Sequence, residues 1–214
     1  MADYKKPDHW QLKARKEGYP ARSVYKLKEI DEKFGIFKPH PKWNNLALPG
    51  SFRVLDIGAA PGSWSLYVLR NFSKTNGFFL AAADISPLSS ELDKGLFDGD
   101  NFFFVQGDVT ADEVRETLFF KGPYSVIISD AAPGTTGSHT VDSARSLSLA
   151  ETVIAYAQSA LVPGGNLALK VFQGSGVDVL FKQMRTLFDT AKSFKPQSCR
   201  SESVETYFIG LGKK

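Results

Sequence analysis

Acidic residues and a glycine end the apolar runs in the first half of this 214-residue chain. Asp84 closes "FFLAAAD", Asp108 follows "NFFFVQG", Asp130 closes "YSVIISD", and Gly58 closes "RVLDIG". Any one of these aspartates could serve as a helix cap or a turn former. In an open parallel sheet, however, ligands bind outside the carboxyl ends of the strands. The four positions together therefore predict a ligand site at one edge of a sheet.

The stretch "DIGAAPG", residues 56–62, indicates what kind of ligand this site takes. Small residues allow a ligand to approach the backbone closely, and the helix expected after them offers free N–H groups to an anionic group. A dinucleotide-binding fingerprint requires glycines where this chain has Ala60 and Ser63. Asp84 follows Gly58 by 26 residues, a separation that suits a hydrogen bond to a ribose diol. These features favour S-adenosylmethionine over NAD and leave a dehydrogenase as a distant alternative.

The elements that must position these residues alternate along the chain. Apolar, β-rich runs alternate with longer helical patterns, which predicts βαβ units and an α/β fold with a parallel sheet. The predicted strands are residues 53–58, 78–84, 101–107, 124–130, 166–172 and 205–212. The predicted helices are residues 22–34, 62–73, 111–119, 142–161 and 177–190, and residues 37–51 are predicted to form a loop.

Composition favours one globular domain. A hydrophobic fraction of 43% in 214 residues predicts a single domain over residues 1–214, in which residues 1–35 form a basic N-terminal arm and a helix. One cysteine, Cys199, excludes an intramolecular disulfide, and three scattered histidines form no metal-ligand pattern. The sequence has no run of about 18 apolar residues and no apolar stretch typical of a signal peptide. We therefore expect a cytoplasmic protein with no metal and no membrane partner.

Positive charge is concentrated at the N-terminus. Residues 1–28 carry a net charge of +5, whereas the other 186 residues carry −2. Lysine and arginine provide affinity for phosphate backbones by releasing condensed counterions, so this arm predicts an RNA partner. Aromatic residues that could stack on bases lie among these charges: Tyr4, Trp10, Tyr19 and Tyr25. A solvated basic tail without a binding role is the alternative.

Five stretches of the chain resemble the FtsJ-type RNA ribose 2′-O-methyltransferases. They are "ARSVYKLKEIDEKF" (21–34), "VLDIGAAPGSWS" (54–65), "IISDAAPGTTG" (127–137), "LVPGGNLALKVFQG" (161–174) and "SESVETYFIGLG" (201–212). The resemblance implies a Rossmann-like class I methyltransferase fold with helices on both faces of a seven-stranded sheet. That sheet is mostly parallel and its last strand is antiparallel.

The resemblance also implies a catalytic tetrad, which matches Lys26, Asp130, Lys170 and Glu205 in this sequence. The position of Glu205 rests on Tyr207 two residues later, and Glu202 is the less favoured alternative. Removing the proton from a ribose hydroxyl requires a base, and Lys170 is the predicted one. Apolar residues flank Lys170 in "LALKVF", which is unusual for an ordinary surface lysine.

The cofactor contacts implied by the resemblance follow the same strand ends. The implied cofactor-binding residues are Asp56, Gly58, Ala59, Pro61, Gly62, Trp64, Asp84, Asp108 and Asp130. Within this set Asp84 is expected at the ribose, Asp108 near the adenine and Asp130 beside the methionine end. Trp64 is expected to form a wall of the cofactor site, with packing in the core as its alternative. Ser63 departs from the family, which often has a second glycine there.

Three functions are compatible with this pattern. The first is 2′-O-methylation of a uridine in large-subunit (23S) ribosomal RNA, as free RNA or in the assembled subunit, by a monomeric enzyme. The second is 2′-O-methylation of a transfer RNA anticodon loop or of mitochondrial ribosomal RNA. The third is an RNA-binding relative that has lost catalysis. The complete tetrad argues against the third.

Overall fold

Seven strands form one sheet in the computed structural model, which describes residues 7–39, 51–134 and 136–214. The strands are β1 (Phe52–Ile57), β2 (Phe78–Asp84), β3 (Phe102–Gln106), β4 (Tyr124–Ser129), β5 (Leu161–Phe172), β6 (Phe188–Phe194) and β7 (Glu205–Lys213). Their order in the sheet is β3-β2-β1-β4-β5-β7-β6. β7 runs antiparallel to both of its neighbours, and the other pairings are parallel. The predicted Rossmann-like α/β fold is confirmed.

Helices cover both faces of this sheet. They are α1 (His9–Lys16), α2 (Val24–Phe34), α3 (Ser63–Phe72), α4 (Asp112–Lys121), α5 (His139–Ala160) and α6 (Val177–Leu187), with a short 3-10 helix at Leu96–Asp98. One buried cluster joins one face of the sheet to α4, α5 and α6, and a second joins the other face to α2 and α3. Within the described ranges, none of the helices could span a membrane.

The largest error of the sequence patterns concerns β6. The prediction of a helix over residues 177–190 is wrong after Leu187, where β6 begins. Only Phe188 is fully buried in this edge strand, so β6 lacks the apolar run that marks the central strands. β5 begins at Leu161, five residues before the predicted start, because "VPGG" lies within the strand.

The basic arm contains a helix that the patterns did not predict. Asp8 caps α1 in a reciprocal capping box with Gln11. Ala14 is buried, and the rings of Trp10 and Tyr25 lie 4.9 Å apart, so α1 packs against α2. Tyr4, Lys5, Lys6 and most of the predicted loop 37–51 fall in the ranges 1–6 and 40–50, outside the described residues. The single-domain assignment stays a prediction.

Candidate active site

A cavity of about 740 Å³ lies at the carboxyl edge of the sheet, where the loops after β1, β2, β3 and β4 meet. Its lining includes five of the positions expected to bind the cofactor: Gly58, Pro61, Asp84, Asp108 and Asp130. Lys170 from β5 lines the same cavity. The structure therefore brings residues that are up to 147 positions apart in the chain, Ser23 and Lys170, into one site.

The loop after β1 approaches the loop after β4 too closely for a side chain at Gly58. Gly58 has a φ of +77°, and a Cβ built on it would lie 2.4 Å from the Cβ of Ala131. Both the backbone angle and the lack of space require glycine at this position. Gly58 and Ala131 both line the cavity, so the close contact between the two loops forms part of its wall.

Asp84 is held by backbone N–H groups of two loops, those after β1 and β2, and Asp108 is held by Thr110 of its own loop. Asp84 accepts from the backbone N–H of Ala60 at 2.9 Å and from that of Ser86 at 2.8 Å. Asp108 accepts from the N–H and the hydroxyl of Thr110 at 2.8 and 2.7 Å, and these bonds hold the pKa of Asp108 below its ordinary value. Each oxygen of Asp84 accepts one of these bonds and has a second lone pair, and both bonds to Asp108 end on Oδ1, so both side chains can still accept hydrogen bonds from a ligand.

Lys26, Asp130, Lys170 and Glu205 converge from four different elements of the structure. The Nζ atoms of Lys170 and Lys26 lie 3.1 and 3.9 Å from the same oxygen, Oδ1 of Asp130. Lys26 Nζ donates a hydrogen bond to Glu205 Oε2 at 2.8 Å, and Lys170 Nζ donates to the backbone carbonyl of Asp130 at 2.5 Å. The four tetrad residues therefore form one network of alternating charge, and Asp130 is its central acid.

The charges of this network stabilise one another despite burial. Burial opposes the ionised form of Asp130, but Lys170 and Lys26 outweigh it and lower the pKa of Asp130. Burial also opposes the charge on Lys26, but Asp130 and Glu205 outweigh it and raise the pKa of Lys26. Burial, with Asp130 nearby, raises the pKa of Tyr207 well above its ordinary value, so its hydroxyl stays protonated and donates to Asp130 Oδ1 at 2.5 Å.

Other residues expected at the cofactor lie behind the described lining of the cavity. Asp56, Ala59, Gly62 and Trp64 are buried in or beside the loop after β1. Asp56 accepts a hydrogen bond from the hydroxyl of Ser65 at 2.7 Å. The Trp64 side chain is 2% exposed and packs in the core. The expected cofactor roles of these four residues stay predictions.

Sequence reasoning did not assign a site role to Tyr207, Ser23 or Arg145, although Tyr207 contacts Asp130 and the other two line the cavity. The sequence could have indicated a site role for Tyr207, because it lies two residues after Glu205 and alternate residues of a strand share a face. Glu205 itself is buried at Lys26, whereas its alternative Glu202 is exposed. The geometry thus favours Glu205 as the acid of the tetrad.

The cavity lining suits S-adenosylmethionine better than a dinucleotide. Asp84 and Asp108 can accept hydrogen bonds from ribose hydroxyl and adenine amino groups, and the loop after β1 has Ala60 and Ser63 where a dinucleotide fingerprint requires glycines. The carboxylate of Asp130 is compatible with a sulfonium cation nearby. Over the described ranges, no group of three His, Cys, Asp or Glu side chains could hold a metal ion.

A Rossmann-like sheet with this cavity and this lysine–aspartate–lysine–glutamate network defines a class of protein, the S-adenosylmethionine-dependent methyltransferases. The chain belongs to the FtsJ-like methyltransferase family, whose family model matches residues 19–213. The predictions of the family, of a methyltransferase and of S-adenosylmethionine as its methyl donor are thereby confirmed.

Relatives agree with this assignment, and a solved structure agrees with the fold. The chain is 46% identical over 212 residues to a protein of Treponema denticola named ribosomal RNA large subunit methyltransferase E, covering 99% of this chain and 97% of the relative. A protein of Borreliella afzelii with the same name is 42% identical, covering 95% and 96%. A structure described as a ribosomal RNA methyltransferase from Plasmodium falciparum is similar in fold, with a TM-score of 0.70, 22% identity and coverage of 91% and 98%.

Proposed function

We propose that this protein transfers a methyl group from S-adenosylmethionine to the ribose 2′-oxygen of a uridine in large-subunit ribosomal RNA. The observation that carries the proposal is the tetrad, which places two lysines and two carboxylates beside a cavity suited to the methyl donor. The relatives' name, ribosomal RNA large subunit methyltransferase E, supports the choice of RNA. We further propose that the enzyme acts as a monomer in the cytoplasm.

The loops at the cavity supply the residues that would hold the cofactor. Asp84 would accept hydrogen bonds from the ribose hydroxyls and Asp108 from the adenine, while Asp130 would face the methionine end. The N-terminus of α3 follows the loop 58–62 and offers backbone N–H groups to the cofactor carboxylate. S-adenosylmethionine, when bound, supplies an electrophilic methyl group on a sulfonium cation. The protein must then align the ribose hydroxyl with that methyl group and remove its proton.

Lys170 is the group of the tetrad that we assign as the base. Lys26 interacts with two carboxylates, and its raised pKa keeps it protonated, so Lys26 cannot accept the proton. Lys170 faces the cavity and interacts with one carboxylate, Asp130. In its neutral form Lys170 would accept the proton of the 2′-hydroxyl as the oxygen bonds to the methyl group, and the bond from that methyl group to sulfur would break to leave the thioether S-adenosylhomocysteine. Asp130 then stabilises the ammonium ion that forms, and Tyr207 fixes the orientation of Asp130.

The experiment that tests this function maps 2′-O-methyl groups across total RNA from cells with and without the gene. We expect one ribosomal RNA uridine to lose its methyl group and to regain it when the wild-type gene, but not a Lys170→Ala variant, is returned. Parallel methylation assays on purified ribosomal RNA and on purified large subunits then show whether the substrate is free RNA or the assembled subunit. A lost mark in transfer RNA would favour the second function instead. No lost mark, together with no turnover of cofactor, would favour a non-catalytic RNA-binding protein.

A further inference from the structure

Two side chains at the start of α3 bind the backbone of the segment that connects α1 to α2, residues 17–23. The backbone N–H of Ala21 donates to Ser63 Oγ at 2.8 Å, and the Ser63 hydroxyl contacts the carbonyl of Ala21 at 3.1 Å. The indole Nε1–H of Trp64 donates to the carbonyl of Ser23 at 2.8 Å. Residues 63 and 64 directly follow the loop 58–62, which we call the cofactor loop. These bonds therefore join the cofactor loop to the N-terminus of α2.

The Trp64 bond ends one helical turn before a member of the tetrad. The carbonyl of Ser23 that accepts from Trp64 also accepts from the backbone N–H of Lys26 at 3.0 Å. Ser23 makes no side-chain cap at the N-terminus of α2. The Trp64 indole therefore binds the same carbonyl that accepts the first backbone hydrogen bond from Lys26, and fixes the position of that carbonyl at the start of α2.

The Trp64 ring also packs beside Tyr207, the residue that binds Asp130 of the tetrad. The rings of Trp64 and Tyr207 lie 6.0 Å apart, and the Tyr207 hydroxyl donates to Asp130 Oδ1 at 2.5 Å. The indole is buried and is not among the described residues that line the cavity. Its side-chain contacts are thus with Ser23 and Tyr207, which bind Lys26 and Asp130.

We propose that Ser63 and Trp64 are positioning residues, which set the distance between the cofactor loop and the tetrad through α2 and Tyr207. Small displacements of reacting groups cost large factors in rate, so such a link affects methyl transfer more than cofactor binding. A glycine, which the family often has at position 63, has no hydroxyl to bind Ala21. The expected effect on kcat rests on the proposed function. The hydrogen bonds themselves can be tested without any methyl-transfer assay.

Trp64→Phe and Ser63→Ala test the proposal, because each removes hydrogen bonds to the connecting segment while Trp64→Phe keeps a ring against Tyr207. We expect kcat to fall by about tenfold in Trp64→Phe, less in Ser63→Ala, and the cofactor dissociation constant to stay within about threefold. Tyr124→Phe is the matched control, since Tyr124 donates to the carbonyl of Leu118 at 2.6 Å at the far end of β4. It should lower thermal stability and leave kcat unchanged.

A mutant cycle separates positioning from a general loss of stability. If Trp64 acts through Lys26, Trp64→Phe should reduce kcat much less in a Lys26→Met background than in the wild type. Equal reductions in both backgrounds, or a fall in cofactor affinity with kcat unchanged, would overturn the proposal.

Hydrogen exchange provides a readout that needs no activity. We expect the amide of Lys26 to exchange faster in Trp64→Phe, with α6 exchanging as in the wild type. Unchanged exchange at Lys26 would contradict the link even if the enzyme is active. Faster exchange in a protein that methylates no RNA would retain the link and reject the proposed function.

Discussion

The two ends of the active site are built in different ways. At the cofactor end, short loops after consecutive strands present backbone groups and carboxylates, and Asp84 and Asp108 are held by N–H groups of neighbouring loop residues. At the tetrad end, charged side chains from α2, β5, β7 and the end of β4 hold one another. The cofactor end therefore depends mainly on hydrogen bonds to loop residues, within one loop or between adjacent loops, and the tetrad end on ion pairs between distant segments.

Two aspartates, the buried Asp56 and the partly buried Asp130, show the consequence of this difference. Asp56 in β1 and Asp130 at the end of β4 lie on neighbouring strands. Burial raises the pKa of Asp56 to about 7, and the Ser65 hydroxyl only partly opposes this effect. The same burial acts on Asp130, but two lysines reverse it and lower the pKa. A buried carboxylate is thus stably ionised only at the end of the site that supplies cations.

Replacing Lys170 with alanine should break the tetrad end and leave the cofactor end intact. Because the variant removes the proposed base, we expect the rate of methyl transfer to fall by about 1,000-fold. Asp130 keeps Lys26 and Tyr207 as partners, so the cofactor should still bind within about threefold of its wild-type affinity. A labelled-methyl assay beside equilibrium binding measures both. Lys192→Ala, at an exposed position of β6, is the control, and retained activity in Lys170→Ala would remove the base assignment.

Replacing Asp84 with alanine is the reverse test. The change removes a proposed acceptor for the cofactor ribose and leaves the N–H groups of Ala60 and Ser86 without their acceptor. We expect the cofactor dissociation constant to rise by about 100-fold, with a smaller effect on kcat at saturating cofactor. Calorimetric titration with S-adenosylhomocysteine measures the affinity. Wild-type affinity in Asp84→Ala would mean that the ribose binds elsewhere.

The two ends also differ in how well the sequence predicts them. Asp84 and Asp108 could be predicted because each follows its own strand, and the edge of a parallel sheet brings strand ends together. The tetrad required the family resemblance, since no local pattern relates Lys26 in α2 to Glu205 at the start of β7. The contact between Lys26 and Glu205 is possible because β7 inserts antiparallel between β5 and β6. The sequence does not predict β6, because this exposed edge strand lacks a run of apolar residues. The hydrogen bond from Trp64 to Ser23 is likewise invisible in the sequence, because any residue supplies a carbonyl.

Asp56→Asn tests the electrostatic part of the comparison. A carboxyl group whose pKa is raised on folding binds more protons in the folded state, so stability is lost as pH rises from about 4 to about 7. We expect the wild type to lose about 2 kcal/mol more than Asp56→Asn between pH 5 and pH 7. Urea unfolding at both pH values measures this difference. Parallel losses in the two proteins would show that Asp56 does not titrate in this range.

The smallest expected effect is on RNA binding by the basic helix α1, which packs near the tetrad. Arg15 and Lys16 are exposed on α1, which packs on the helix that carries Lys26. If they contact phosphates, Arg15→Gln with Lys16→Gln should weaken RNA binding several-fold and reduce the slope of log K against log salt by about 1.5. Lys74→Gln with Lys182→Gln, two exposed sites elsewhere, matches the change in net charge. Because general electrostatic attraction would respond equally to both pairs, an equal change in slope would mean that α1 does not contact the RNA backbone. A larger change in the α1 pair would place the phosphates beside α1.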